Sequence, residues 1–199
     1  MILLFVNCGA QGQIRKGFEA YYYPGNGAVF SSLSTKLYYQ TSQGWYTEFR
    51  YNYEQEGTAA CSVGKTFSKE NDISYSITPE VGISGGKLQG TSLGLNSTLS
   101  RGRLSFNSSL LYAPRFERSK SNGSFFSWSE LNGRITKHLC AGVTIELLSS
   151  PCTTMSLDAG GQLEVLYKDW TFPLYVFDRR GTEPFLVAGA CYEWKYRHG

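Results

Sequence analysis

The stretch "WYTEFRYNYE", residues 45 to 54, alternates strictly between two kinds of side chain. Trp45, Thr47, Phe49, Tyr51 and Tyr53 take one parity, and Tyr46, Glu48, Arg50, Asn52 and Glu54 take the other. A β-strand sends successive side chains to opposite faces, so this stretch reads as a strand with one aromatic and one charged face. Which of the two meets water, and which meets something else, decides the fold.

The same alternation recurs along the chain. In "ISYSITPEVGIS" (73–84) Ile73, Tyr75, Ile77, Val81 and Ile83 oppose Ser74, Ser76, Thr78, Glu80 and Ser84. In "AGVTIELL" (141–148) Val143, Ile145 and Leu147 oppose Thr144 and Glu146, and in "SLDAGGQLEVLY" (156–167) Leu157, Leu163 and Val165 oppose Asp158, Gln162 and Glu164. No segment carries a helical period, so the chain reads as all-β. Turn signals at 42–44, 85–87, 101–103 and 168–169 divide it into about twelve strands. They fall near 15–23, 34–41, 45–54, 57–67, 73–84, 88–99, 103–113, 124–134, 138–148, 155–167, 170–177 and 184–195. Most run to about ten residues, whereas strands of soluble sheets centre on about five or six. Longer polar connections are expected at 24–33, 114–123 and 149–154, all after odd-numbered strands.

Composition agrees: 14 Tyr, 22 Gly and only 18% charged residues suit strands and tight turns rather than helices. A net charge of +3 without a basic run gives no electrostatic footprint for nucleic acid. No apolar run approaches the ~20 residues of a membrane helix. The opening "MILLFVNCGAQGQ" resembles the end of a secretory signal peptide, so residues 1–12 are expected to be its remnant and 13–199 one barrel domain. Cys140 and Cys152 stand about twelve extended residues apart, roughly 40 Å within one strand and beyond disulfide reach. No CxxC or His-containing spacing marks a metal site, and no motif calls for a cofactor; the cysteines read as packing residues.

Alternation alone fits a soluble calycin-like barrel, apolar face inward, as well as a membrane barrel, apolar face outward. Three features favour the membrane. Twelve long strands would enclose an apolar lumen too wide for side chains to fill. Tyr39, Trp45, Trp170 and Trp194 sit at strand ends that the threading brings to one rim, as an interfacial aromatic belt requires. Charges fall mostly on the polar parity. The expected fold is therefore a closed, antiparallel, up-and-down transmembrane β-barrel of a Gram-negative outer membrane, with lipid as partner of its outer face. Its lumen would carry a polar network of Glu48, Arg50, Glu54, Glu80, Glu130, Arg134, Glu146, Asp158 and Glu164. Lys65 breaks the parity rule near a strand end, where it can snorkel.

Four motifs occur in order: "RYNYE" (50–54), "ITPEVG" (77–82), "FFSWSEL" (125–131) and "YVFD" (175–178). Together they resemble a family of small, functionally uncharacterised bacterial proteins taken to be outer-membrane β-barrels. That resemblance implies a fold and a location, and no activity.

Catalysis finds little support. A Ser–His hydrolase needs a histidine beside its nucleophile, and His138 and His198 fall in a predicted turn and the tail. Paired lumen carboxylates fit a stiffening network with arginines and tyrosines, a selectivity ring, or a glycosidase pair. Trp128, Glu130 and Arg134 share one parity, either as a contact for a sugar or as part of a packed plug. The leading expectation is a narrow passive channel or a largely plugged structural barrel, without enzymatic activity, admitting at most small polar solutes. A soluble binding barrel and an outer-membrane enzyme acting on lipid or sugar are the alternatives.

Overall fold

Residues rich in Tyr, Thr, Ser and Val, arranged with period two, form strands nearly everywhere in the protein. The computed structural model describes residues 14–24, 32–53, 56–114, 123–150, 153–178 and 184–195. Its strands are β1 (Arg15–Tyr23), β2 (Ser32–Gln40), β3 (Trp45–Tyr51), β4 (Thr58–Lys65), β5 (Phe67–Lys69), β6 (Ser74–Gly86) and β7 (Gly90–Arg101). They continue with β8 (Leu104–Ala113), β9 (Ser124–Arg134), β10 (Leu139–Ser150), β11 (Thr153–Tyr167), β12 (Trp170–Asp178) and β13 (Phe185–Lys195).

β4 and β5 are two halves of one stave. Both pair with β6 in an unbroken register, Gly64 opposite Glu80 and Phe67 opposite Ile77. Only Thr66 interrupts them, next to the rung where Lys65 faces Pro79, a residue with no N–H to give. The expected single strand over 57–67 is thus extended to Lys69. Counted by stave the sheet has 12 strands, and it closes on itself where β1 pairs antiparallel with β13, from Arg15 opposite Lys195 to Tyr22 opposite Ala188. Every pairing is antiparallel, so no edge is left open.

Arg15 and Lys195 share a rung, which puts both ends of the described chain at one rim. At that rim the connections are short: 41–44, 70–73, 102–103, 135–138 and 168–169. The opposite rim carries 24–31, 52–57 and 114–123 among its connections. One expected long connection is absent from this set. β10 and β11 run on to Ser150 and Thr153, which pair with each other, so only 151–152 link them.

The faces sort by parity. Along β6, Val81 and Ile83 are 55% and 65% exposed while Glu80, the residue before Val81, is 5% exposed. Phe49, Leu93, Val143, Leu157 and Val176 are exposed on the outside as well. The soluble arrangement, with the apolar face inward, is not the one adopted. Alternation fails at one instructive point: Tyr53, expected outside with Phe49 and Tyr51, turns inward. β3 ends at Tyr51, and Asn52 takes a left-handed backbone at φ 57°. Asn52 tolerates it because its side chain donates to the Leu33 carbonyl at 3.1 Å and accepts from the Gly57 N–H at 2.7 Å. Tyr53 then packs edge-on against Phe126 inside the barrel.

A lysine in the middle of the outer face faces hydrocarbon, at a cost of about 2–4 kcal/mol near the midplane. Phe49→Lys and Val81→Lys should each sharply lower the yield of folded protein in phospholipid vesicles, read as heat-modifiable migration on a gel. Ser76→Lys, on the inner face, should fold at the wild-type yield; equal yields for all three would reverse the faces.

Candidate functional site

The inner face encloses a cavity of about 560 Å³. Arg15, Gln40 and Thr66 line it at the rim carrying the termini, and Pro24, Asn52 and Leu148 line it towards the other. Both Arg15 and Tyr23 line it, the two ends of β1, and at ~3.3 Å per residue they stand roughly 26 Å apart along the strand. The cavity therefore follows the whole length of a stave. One wall, from β1 to β3, presents Glu19, Lys36, Tyr38, Tyr46 and Tyr53. The facing wall, from β6 to β8, presents neutral hydroxyls and amides, Ser76, Thr78, Asn96, Asn107 and Ser109.

The rest of the interior is filled. Tyr175, Phe177 and Val187 are buried, with Tyr21, Tyr23, Trp128 and Phe185 packed against them. Trp128 meets Tyr175 edge-on at 5.0 Å and Phe177 at 5.3 Å between ring centres. The Trp128 Nε1–H donates to Glu130 Oε1 at 2.6 Å, and the Tyr175 hydroxyl donates to the same oxygen at 2.8 Å. Of the two expectations for Trp128, packed plug or sugar contact, these neighbours are those of a plug, although Trp128 also borders the cavity.

Carboxylates hold the wall together in three groups. Glu48 pairs with the Arg50 guanidinium at 3.0 Å and accepts from the Tyr46 hydroxyl at 2.7 Å. Glu80 accepts from the Ser62 hydroxyl and the Asn96 amide. It lies between Gly64 and Gly94 on the adjoining strands, and a Cβ at Gly94 would come within 2.5 Å of the Glu80 Cγ. Absence of side chains on both sides is what lets this carboxylate lie along the wall. Glu164 accepts from Asn132 at 3.3 Å and Gln162 at 3.2 Å, and Gln162 also donates to Asn132. Lys36 pairs with Glu19 at 2.9 Å in mid-strand, and at the rim Arg15 pairs with Glu193 at 3.0 Å.

Glu48, Arg50, Glu80 and Asp158 are buried on the inner face, and Glu130, Glu146 and Glu164 are half-buried there. Arg134 ends β9 at the rim and is exposed, so it does not continue the Trp128–Glu130 contact. Glu54 lies outside the described residues. Tyr39, Trp45, Trp170 and Trp194 are all exposed on the outer face at the rim of the termini. Trp170 stacks on Phe172, while Trp194 and Trp45 carry Lys16 and Lys65 ammonium groups at 5.8 and 5.1 Å from their rings. Lys65, on the outer parity, reaches past its ring to the Gln43 carbonyl at 2.5 Å, out of the apolar band. His138 is exposed at the same rim, its Nδ1 at 3.2 Å from the Leu166 carbonyl oxygen, away from the cavity. Cys61, Cys140 and Cys191 are free thiols.

Sequence reasoning passed over Lys36, Glu193 and Tyr175. Lys36 shares its parity with Ser34, Tyr38 and Gln40, which was signal enough. Tyr175 had none, because "TFPLYVF" is apolar on both faces and its parity is silent.

No family model and no curated protein matches the chain. Solved structures do. A KdgM porin superposes with a TM-score of 0.58 at 15% identity, covering 89% of this chain and 98% of that one. A KdgM porin in complex with disordered oligogalacturonate gives 0.56 at 14% identity over the same shares. A NanC porin gives 0.57 at 12% identity, covering 92% of this chain and all, 100%, of the other. The fold is that of outer-membrane porins. At these identities the likeness concerns architecture alone.

Glu130 is the acceptor that two buried donors share. Glu130→Leu should leave both without a partner and cost about 1–3 kcal/mol per stranded group. Denaturant unfolding in detergent should show that loss, with Glu130→Gln, which keeps a carbonyl oxygen, much closer to wild type. Equal stability of the two variants would show that the contact contributes nothing.

Proposed function

We propose that the protein resides in the bacterial outer membrane, surrounded by lipid, and lets small polar solutes cross by passive diffusion. One observation carries this reading: a polar cavity follows the length of a stave inside a barrel whose outer face is apolar. Hydroxyl, amide and tyrosine groups along it exchange hydrogen bonds with water or a hydroxylated solute without gripping either. The porin architecture of the solved neighbours supports it. The filled half of the interior makes the path narrow, and passage rather than chemistry is its role. Carboxylates that would serve a hydrolase are taken up instead by Arg50, Ser62, Asn96, Trp128 and Tyr175.

A second reading, a plugged barrel with no conduction, draws on the aromatic packing of Trp128, Tyr175 and Phe177. Planar-bilayer recording separates the two. Refolded protein should give small, uniform current steps in KCl, and Asn107→Trp, which fills part of the cavity's neutral wall, should cut step size by half or more. Barrels that insert without current would favour the plug. Steps indifferent to Asn107→Trp would place the ion path elsewhere.

A further inference from the structure

We infer that the rim carrying the chain ends is a docking surface for anionic phospholipid, with Lys16, Lys65 and Lys168 taking its headgroups at the edge of the apolar band. This rests on the membrane reading and is independent of conduction. It names which lipid the barrel gathers and at which rim.

Charge is distributed unevenly between the two rims. At the rim of the termini, residues 14–16, 65–73, 101–103, 134–138, 168–169 and 193–195 hold ten Lys and Arg against four Asp and Glu. Beyond Lys195 the sequence holds one more cation, Arg197, and residues 1–13 hold no acid. The connections of the opposite rim, 24–31, 52–57, 87–89, 114–123, 151–152 and 178–184, hold six against five. The surplus therefore belongs to one rim. A net charge of only +3 conceals it, because the staves between carry seven acids and two cations on their inner face. Each tight turn at the rim of the termini except 41–44 carries or adjoins a cation, so the surplus is spread around the barrel.

Geometry brings part of this charge to the lipid boundary. Arg15 lines the cavity, so Lys16, the next residue of β1, takes the outer face, where its ammonium stands 5.8 Å from the Trp194 ring. Lys65 shares a rung with Trp45 and stands 5.1 Å from its ring. Lys168, exposed in the β11–β12 turn, stands 5.3 Å from the Tyr167 ring, and Tyr167 shares a rung with Trp170. Interfacial aromatic rings settle at headgroup depth, and a lysine laid along one holds its ammonium at that depth. A cation beside a ring keeps its charge, and an ammonium has three N–H donors to share between the ring, a carbonyl and a lipid phosphate. Basic groups near a membrane surface attract anionic lipid within about a Debye length. A zwitterionic lipid carries its own cation beside the phosphate and gains little from them. The same arrangement at three places on one rim, inside a wider ring of cations, thus fits a headgroup of net negative charge.

Three of the four tryptophans, Trp45, Trp170 and Trp194, stand on the outer face at this rim, so their fluorescence reports the lipid beside them, while Trp128 lies inside. The test places refolded protein in vesicles of phosphatidylglycerol and phosphatidylcholine in equal parts, with dibrominated acyl chains on one species or the other. Bromine quenches only nearby indoles, and the headgroup composition is the same in both samples. Quenching should be roughly two-fold stronger or more with bromine on phosphatidylglycerol, and the difference should shrink in about 1 M NaCl. Lys16→Gln, Lys65→Gln and Lys168→Gln combined should bring the two samples together, whereas Lys87→Gln, at the opposite rim, should leave the difference intact. Equal quenching of the wild-type protein would overturn the inference and leave the membrane reading standing. A preference unmoved by the triple variant would overturn the assignment to these three lysines. Quenching by neither lipid would show that the girdle does not meet lipid, and the membrane reading itself would fall.

Discussion

A backbone N–H or C=O inside hydrocarbon has no water to turn to, and leaving one unpaired costs several kcal/mol. A sheet meets this demand only by having no edge. Closure of β1 on β13 is therefore the condition from which the other features follow. With every pairing antiparallel, an even number of staves returns both ends to one rim and lets tight turns serve that side. Once the sheet is closed, period two sorts every side chain either to the apolar outside or to the enclosed inside. The girdle of Tyr39, Trp45, Trp170 and Trp194, with its attendant lysines, marks where the apolar band stops.

Inside, the constraint is reversed. Polar groups withdrawn from bulk water must find partners, and most do so across the strands. On one side of the barrel, large side chains lie against the wall where a glycine stands opposite. Tyr38 covers Gly17, where a Cβ would come within 2.3 Å of its ring, and Glu80 rests between Gly64 and Gly94. Flattening these groups is what leaves a cavity on the β1–β3 side. On the β9–β13 side, Trp128, Tyr175 and Phe177 stand into the lumen and fill it. An asymmetric distribution of small and large residues around the barrel thus decides where its open space runs.

Much of this was legible in the chain. Period two over ten-residue stretches gave the strands, and the clustering of tryptophans at alternate strand ends gave the rim. Boundaries failed where a local device overrode the pattern. Asn52 reversed the course of the backbone with a left-handed residue and sent Tyr53 inward, and parity carries no warning of that. Residues 149–154 read as a loop because they are polar, yet Ser149, Ser150 and Thr153 remain in strands. Contacts between distant strands were beyond reach for a different reason. Glu130 meets Tyr175, 45 residues away, only because the curvature of the closed sheet brings inward-pointing side chains of β9 and β12, three staves apart, into contact. Parity says that a side chain points inward, and the stagger of the whole barrel says what it finds there.

The strand order has a further bearing on how such a molecule comes to exist. Each stave lies beside its neighbour in sequence, with the single exception of the β1–β13 junction. Hairpin-to-hairpin contacts close short loops and form readily, whereas that last junction must bring together residues almost a full chain length apart. Until it forms, β1 and β13 present two long, unprotected edges able to recruit strands of another chain. The rungs that shut this gap, among them Phe18 against Tyr192 and Lys16 against Trp194, thereby separate a soluble-phase hazard from a finished, closed wall. Damage to them would be felt first as failed assembly and lost material, with the few barrels that did close still intact.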